Sequence, residues 1–161
     1  MNLSAPSRCG VLAPAALAVC ALVLPGCATA DADAGLRIQD PAVGAVPGSS
    51  AAVYLAIDNP GAADSLLGAD CSCGAETSLH VVEDRAGVLM MVPAGTIEIP
   101  EDSTTVLDPG GSHVMLEGLQ EPLEPGGSIE LTLRFDRAGE RTVEVPVVEL
   151  QQLAERVERD Q

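Results

Sequence analysis

The sequence predicts an all-β domain, folded as a β-sandwich or a β-barrel. Short runs of β-forming residues follow one another from about residue 36 to residue 148, separated by Gly, Pro, Asp and Asn. Two of these runs, residues 128–135 and 142–145, alternate between apolar and polar side chains, so each has one buried and one solvated face. Many short strands with regular turns are typical of sandwiches and barrels, and this length suffices for one core.

The individual strands are predicted from the apolar runs and from the turn residues that separate them. They comprise residues 36–38, 51–59, 65–71, 77–82, 88–92, 95–99, 104–107, 113–116, 128–135 and 141–148. After the last strand the composition changes, and Leu150, Leu153 and Val157 recur at a spacing compatible with a helix. Residues 149–161 are therefore predicted to be a polar tail, either a short helix or frayed, that is solvated rather than bound to a partner.

The N-terminus has the pattern of a lipoprotein signal peptide. One charged residue, Arg8, precedes an uncharged run that ends in Leu24-Pro25-Gly26-Cys27. We expect residues 1–26 to be removed, Cys27 to be lipidated, and residues 27–35 to tether the domain flexibly to the membrane. The alternatives are an ordinary signal peptide cut at residues 28–30, giving a secreted or periplasmic protein, and a membrane-spanning anchor, for which the apolar run is short.

The charge of the chain excludes one class of partner. The sequence has no lysine, and after Cys27 it contains twenty-four acidic residues but only seven arginines. Such a surface repels nucleic acid and anionic lipid headgroups, so no nucleic-acid-binding function is expected. A basic protein partner is compatible with this charge, although an acidic surface often serves solubility alone.

The side chains best suited to bind a metal are concentrated between residues 80 and 115. This stretch contains both histidines and three of the four methionines, with ten residues between His80 and Met91 and twenty-one between Met91 and His113, followed by Met115. Imidazole and thioether ligands select soft or borderline ions, and Cu(I) is the main candidate. Any one of these residues alone could be a core filler or a solvated side chain. The four together favour a metal site.

A β-hairpin would bring part of this set together. The polar segment 83–87 separates two β-forming runs and ends in glycine, as hairpin turns do. With the turn centred between residues 85 and 86, His80 lies directly opposite Met91, and their Cβ atoms are roughly 5 Å apart. His113 and Met115, two positions apart on another strand, point to the same face. Four ligands from three strands could then meet.

The spacing and its surroundings resemble the periplasmic copper chaperone family known as PCu(A)C. The motif is His-x10-Met-x21-His-x-Met, carried here by His80, Met91, His113 and Met115. The resemblance covers residues 36–148. Its recurring blocks are residues 52–59 (AVYLAIDN), 64–69 (DSLLGA), 87–88 (GV) and 109–116 (PGGSHVML).

The resemblance implies a cupredoxin-like Greek-key β-sandwich on which these four residues bind Cu(I). It also implies an extracytoplasmic metallochaperone that delivers copper to the CuA centre of cytochrome c oxidase, with oxidase subunit II or a Sco-type protein as the acceptor. This sequence departs from the family at Leu89 and Glu117, where members often carry extra methionines, and no His/Met-rich tail follows the domain. A second, Cu(II)-binding site in the tail is therefore not expected.

Three further residues are candidates for an accessory metal or redox role. Cys71 and Cys73 are the cysteines that follow Cys27, and they precede His80 closely. In an oxidising compartment such a pair can form a reducible disulfide, bind copper through thiolates, or have no role. Met90 is a candidate because it neighbours Met91.

Other functional classes fit the sequence less well. A blue-copper electron carrier needs a cysteine thiolate beside two histidines, and no cysteine follows Cys73. A hydrolase needs a base-activated nucleophile, and both histidines belong to the thioether cluster, so no enzymatic activity is predicted. A metal-free cell-surface β-sandwich, acting as a binding or scaffold lipoprotein, is the main alternative.

The proposed ligand set predicts a pH dependence. A thioether binds Cu(I) without losing a proton, whereas an imidazole binds only when it is neutral. We therefore expect Cu(I) affinity, measured against a chromophoric chelator, to fall as the pH is lowered from about 8 to about 5, where histidine becomes charged. An affinity that stays constant over this range would contradict histidine ligation.

Overall fold

The alternating runs of the sequence form ten β-strands, and the tail forms one helix. The structure, a computed structural model, describes residues 35–159. The predicted signal peptide, Cys27 and most of the tether lie outside the described residues. The elements are β1 (Arg37–Gly44), β2 (Ser50–Asn59), β3 (Asp64–Cys71), β4 (Glu76–Arg85), β5 (Val88–Ala94), β6 (Ile97–Ile99), β7 (Ser103–Leu107), β8 (His113–Glu117), β9 (Ser128–Phe135), β10 (Glu140–Val148) and α1 (Leu150–Arg159).

The strands make two sheets that share one core. The first sheet has the order β5-β4-β8-β2-β1, with β7 also paired to β2, and the second has the order β10-β9-β3-β6. All pairs are antiparallel except that of β1 with β10, which is parallel and links the two sheets. The predicted all-β sandwich is confirmed. Between residues 35 and 159, no helix is long and apolar enough to cross a membrane.

Aliphatic side chains fill the space between the sheets. In β2 and β9 every second residue is buried, as the alternation of the sequence predicts. The largest fully buried side chains are Ile57, Leu66, Ile99, Leu107, Leu116, Leu131, Leu133, Val43, Val53, Val114 and Val145. Phe135, which is 4% exposed, is the one aromatic residue in the buried hydrophobic core of the described chain, so close packing of branched aliphatic residues is what stabilises the fold.

Strand β1 is longer than the sequence predicts. Its pairing with β2 shifts between Gln39 and Ala42, and Asp40 there has a φ of 47°, which is the geometry of a β-bulge. The bulge lets the strand continue, so that Ala42 and Val43 are fully buried and Val43 pairs with Val147 of β10. A short apolar pair after a proline gives no periodicity from which this extension could be predicted.

Helix α1 packs against the end of β1. Leu153 is 7% exposed, and a Cβ atom added at Gly44 would lie 2.7 Å from Leu153 Cδ1 and 2.9 Å from Leu150 Cδ2. The absence of a side chain at Gly44 therefore lets the helix approach the sheet. The tail is helical, as one alternative predicted, but the expectation that it is solvated is wrong for Leu153.

One carboxylate connects the start of β3 to the loop between β9 and β10. Asp64, at the start of β3, accepts hydrogen bonds from the backbone N–H groups of Ser65 (2.7 Å), Arg137 (2.9 Å) and Ala138 (2.9 Å). Burial raises the pKa of the Asp64 carboxyl, but these hydrogen bonds and the charge of Arg137 outweigh it and lower the pKa below its ordinary value. Its ionised form therefore stabilises the fold.

Replacing this carboxylate should make the protein less stable in a pH-dependent way. Because the folded-state pKa is depressed, the stabilisation is present above the unfolded-state pKa and is lost as the pH falls through the folded-state pKa. Asp64→Asn should lower the free energy of unfolding at pH 7 by about 1–2 kcal/mol, and the difference should vanish in acid. Urea denaturation over a pH series measures this, with Glu98→Gln in β6 as the control. A deficit that persists unchanged in acid would contradict this role.

Candidate metal centre

The histidines lie on the outer face of the first sheet, meaning the face turned away from the core. Leu79 of β4, Val114 of β8 and Val53 of β2 are in register and at most 4% exposed, so they point into the core. Successive residues of a strand alternate in direction. His80 and His113 therefore project outward from neighbouring strands.

The two histidines face each other directly. His80 and His113 are register partners, with ring centroids 5.4 Å apart and ring planes inclined at 71°. The next outward-facing pair along the same two strands is Ser78 with Met115. The prediction that His113 and Met115 share a face agrees with this register. His80, His113 and Met115 together form a compact group, which we call the His-His-Met trio.

Met91 does not lie opposite His80. The β4–β5 turn consists of Ala86 and Gly87, whose φ angles of 58° and 85° are those of a two-residue type I′ turn. The turn is thus centred one residue later than predicted, and His80 pairs with Pro93 while Met91 pairs with Val82. The predicted direct opposition is wrong.

The face on which Met91 lies is nevertheless the predicted one. Val82 is two residues from His80, so Val82 and its partner Met91 share the outer face. Met91 and Met115 lie on opposite sides of His80, two strands apart and four residues apart along β4. On a flat sheet these spacings correspond to about 10 Å across and about 13 Å along the strands. Met91 can join the trio only if the β4–β5 hairpin curves toward β8.

The surroundings of His113 fix one of its ring nitrogens. Its Nδ1 lies 3.1 Å from the carbonyl oxygen of Gly111, so Nδ1–H donates to that carbonyl and Nε2 keeps its lone pair. The residue is only 2% exposed, and the ring of Tyr54 packs 6.1 Å away. Burial, and secondarily the charge of Asp108, raise the pKa of Tyr54, so this neighbour stays neutral.

His80 has a nitrogen that the protein does not satisfy. Its Nε2 lies 3.3 Å from Ser78 Oγ, whereas its Nδ1 is buried and has no hydrogen-bond partner. In the described part of the chain this is the one buried side-chain nitrogen or oxygen without a partner. An unpaired buried polar atom is costly and calls for a functional explanation. A metal ion near the trio would supply one, because imidazole needs a free lone pair to bind it.

Carboxylates and thiols do not provide a competing site. Among the residues that the structure describes, no group of three or more His, Cys, Asp or Glu side chains could hold a metal ion. The thioether of Met115 lies on the same face as both histidines, and thioethers favour a soft ion such as Cu(I).

The candidates for an accessory role, Cys71, Cys73 and Met90, lie outside the His-His-Met trio. Cys71 and Cys73 form a disulfide, and both pack against the hydrophobic core. As a disulfide they offer no thiolate to a metal, so the accessory metal role does not apply to this form. The redox role stays a prediction. Met90 pairs with Glu83 and points to the face of the hairpin opposite Met91.

Three residues of the site were not anticipated from the sequence. Tyr54 and Gly111 contact His113, and Ser78 contacts His80. Ser78 could have been found, since it stands two residues before His80 on the same strand and must share its face. The contacts of Tyr54 and Gly111 depend on the pairing of β2 with β8 and on the loop before β8, which the sequence alone does not fix.

The chain is similar to known proteins in sequence and in fold. A putative lipoprotein of Leifsonia xyli subsp. xyli is 36% identical over 133 residues, covering 80% of each chain. The solved copper-bound PCuAC domain from PmoF2 is 26% identical, with a TM-score of 0.59 over 71% of this chain and 92% of that one. The Cu(I) form of DR1885 from Deinococcus radiodurans is 28% identical, with a TM-score of 0.53 over 76% of this chain and 87% of that one.

A family model described as "Putative lipoprotein LpqE-like" matches residues 36–147, most of the described sandwich. The family match and the PCuAC neighbours bear out the resemblance inferred from the His-Met spacing. The chain belongs to the LpqE-like family, whose domain is of the PCuAC type.

Proposed function

We propose that this protein is an extracytoplasmic Cu(I)-binding metallochaperone. The observation that carries the proposal is the His-His-Met trio on the outer face, with a buried and unpartnered nitrogen on His80. The copper-bound state of related PCuAC domains supports it. Imidazole and thioether groups together match the preference of Cu(I) for soft and borderline ligands.

The four ligands would have different tasks. His113 would bind through Nε2, because Gly111 occupies its Nδ1, and His80 would bind through a ring nitrogen beside it. Met115 adds a thioether from the same strand as His113. Met91, which is 59% exposed on the hairpin, would close over the ion last. It is the ligand that an acceptor could most easily replace, so transfer would be a ligand exchange.

The destination of the copper is the part of the proposal that rests on the family resemblance. The acceptor would be the CuA centre of cytochrome c oxidase, reached through subunit II or through a Sco-type protein. Lipidation of Cys27 would hold the carrier at the membrane, and the LpqE-like family and the Leifsonia xyli relative, both described as lipoproteins, support this. The protein itself would make or break no covalent bond of a substrate.

The geometry predicts unequal effects of the two thioether ligands. Met115→Ala should weaken Cu(I) binding more than Met91→Ala, because Met115 belongs to the compact trio and Met91 has to be brought to it. We expect a loss of about 100-fold or more for Met115→Ala and about tenfold for Met91→Ala. Competition with a chromophoric Cu(I) chelator measures both.

Two control variants are available outside the site. Met90→Ala removes a thioether from the opposite face of the same hairpin, and Cys71→Ser/Cys73→Ser removes the disulfide. Both should keep the wild-type affinity. If the wild-type chain does not compete for Cu(I), and Met91→Ala and Met115→Ala alter only its stability, the metal-free scaffold is the correct function. If the wild type binds Cu(I) and both variants bind it equally well, the thioether ligands are wrong.

A further inference from the structure

We propose that the outer face of the β4–β5 hairpin is the docking surface for the copper acceptor, a protein with an apolar patch bordered by Arg or Lys. This inference rests on the proposed function and concerns how the carrier recognises its partner. The hairpin face is defined by Leu89 and Met91 of β5 and by Val82 and Asp84 of β4.

Exposed apolar side chains are concentrated on this hairpin. Seven large hydrophobic residues of the described chain are exposed, and four of them are consecutive: Val88 (60%), Leu89 (69%), Met90 (44%) and Met91 (59%). Single exposed apolar residues are ordinary, whereas contiguous ones mark contact sites. The stability of the sandwich does not require these side chains, because they lie outside its buried core.

Two of the four lie on the face that carries the candidate metal centre. Leu89 pairs with Asp84 and Met91 pairs with Val82, so both project from the same face as His80. Val88 and Met90 pair with Arg85 and Glu83 and project from the opposite face. A partner that contacts Leu89 therefore binds the face that carries Met91 and the trio, whereas a partner that contacts Val88 binds the opposite face.

Acidic residues lie at both ends of the outer face of the first sheet. Glu76 of β4 and Glu117 of β8 are register partners on this face, two outward-facing pairs beyond His80 and His113 and on the side away from the hairpin. Like charges directly opposite one another are destabilising, so this pair would be relieved by a basic group. Asp84 lies at the other end of the face, and Arg85 is engaged by Glu83 at 2.9 Å. Complementary charge on the partner would speed association.

The partner is expected to use the side chains of the hairpin rather than to extend its sheet. Among the strands that the structure describes, β5 is the last of the first sheet and pairs with β4 alone. Pro93 lies within this strand and has no N–H group, which interrupts the edge as a template for another strand. The apolar outer face remains as the contact surface. Docking there places the acceptor's ligands next to Met91, the thioether that has to leave during transfer.

The test is copper transfer from the full-length Cu(I)-loaded chain to the copper-free CuA domain of oxidase subunit II from the same organism. Stopped-flow measurements at low and high salt give the second-order rate constant. Leu89→Ser should lower the rate constant about tenfold, whereas Val88→Ser, an equally exposed change on the other face, should lower it less than about twofold. Both variants should hold Cu(I) with the wild-type affinity.

A second pair of variants tests the charges. Glu76→Gln/Glu117→Gln should slow transfer at low salt and reduce its dependence on salt, because it removes the attraction to a basic rim. The matched control is Glu98→Gln/Glu101→Gln, which changes one residue in β6 of the second sheet and one just after it. This control should have no effect on the rate.

The outcomes separate this inference from the proposed function. If the wild-type chain fails to hold Cu(I), the proposed function falls and the docking surface with it. If it holds Cu(I) but does not transfer it, or if Leu89→Ser and Val88→Ser transfer equally fast, the docking surface is overturned while copper binding stands. Sedimentation tests whether a second copy of the chain, rather than the acceptor, binds this face. A wild-type dimer that Leu89→Ser abolishes would assign the face to that second copy.

Discussion

The register between β4 and β8 is the constraint on which the rest of the site depends. Leu79 and Val114 are paired and buried, and this pairing places His80 opposite His113 on the outer face. A slip of one residue would turn the histidines into the core and expose the aliphatic pair. The hydrophobic core therefore determines the geometry of the candidate metal centre, although none of the four proposed ligands belongs to the core cluster.

The site combines a fixed part with an exposed part. His113 is buried beside Tyr54 and hydrogen-bonded to Gly111, so its ring is held in place before any ion binds. Met91 stands on a protruding edge hairpin and is open to solvent. A carrier needs both properties, because a fixed set of ligands provides affinity and an accessible ligand provides a route for exchange. A closed site built wholly from the core would retain its metal.

The sequence predicted the parts of the fold that depend on local pattern. The alternation in β9 was sufficient to predict the sandwich, and the His-Met spacing was sufficient to identify the PCuAC resemblance. The hairpin register was not predictable, because the type I′ turn places Ala86 at a positive φ, where alanine is seldom found. The packing of the tail depends on Gly44, which lies more than a hundred residues from Leu153, so only the tertiary structure shows it.

The central claim is that His80, His113, Met115 and Met91 bind one Cu(I), and methyl NMR of the methionines tests it most directly. The described chain has three methionines, Met90, Met91 and Met115, and only the last two lie on the outer face. During a titration with Cu(I), the methyl signals of Met91 and Met115 should shift together and saturate at one equivalent, while that of Met90 stays in place. A shift of Met90 alone, or no shift of Met115, would contradict the account.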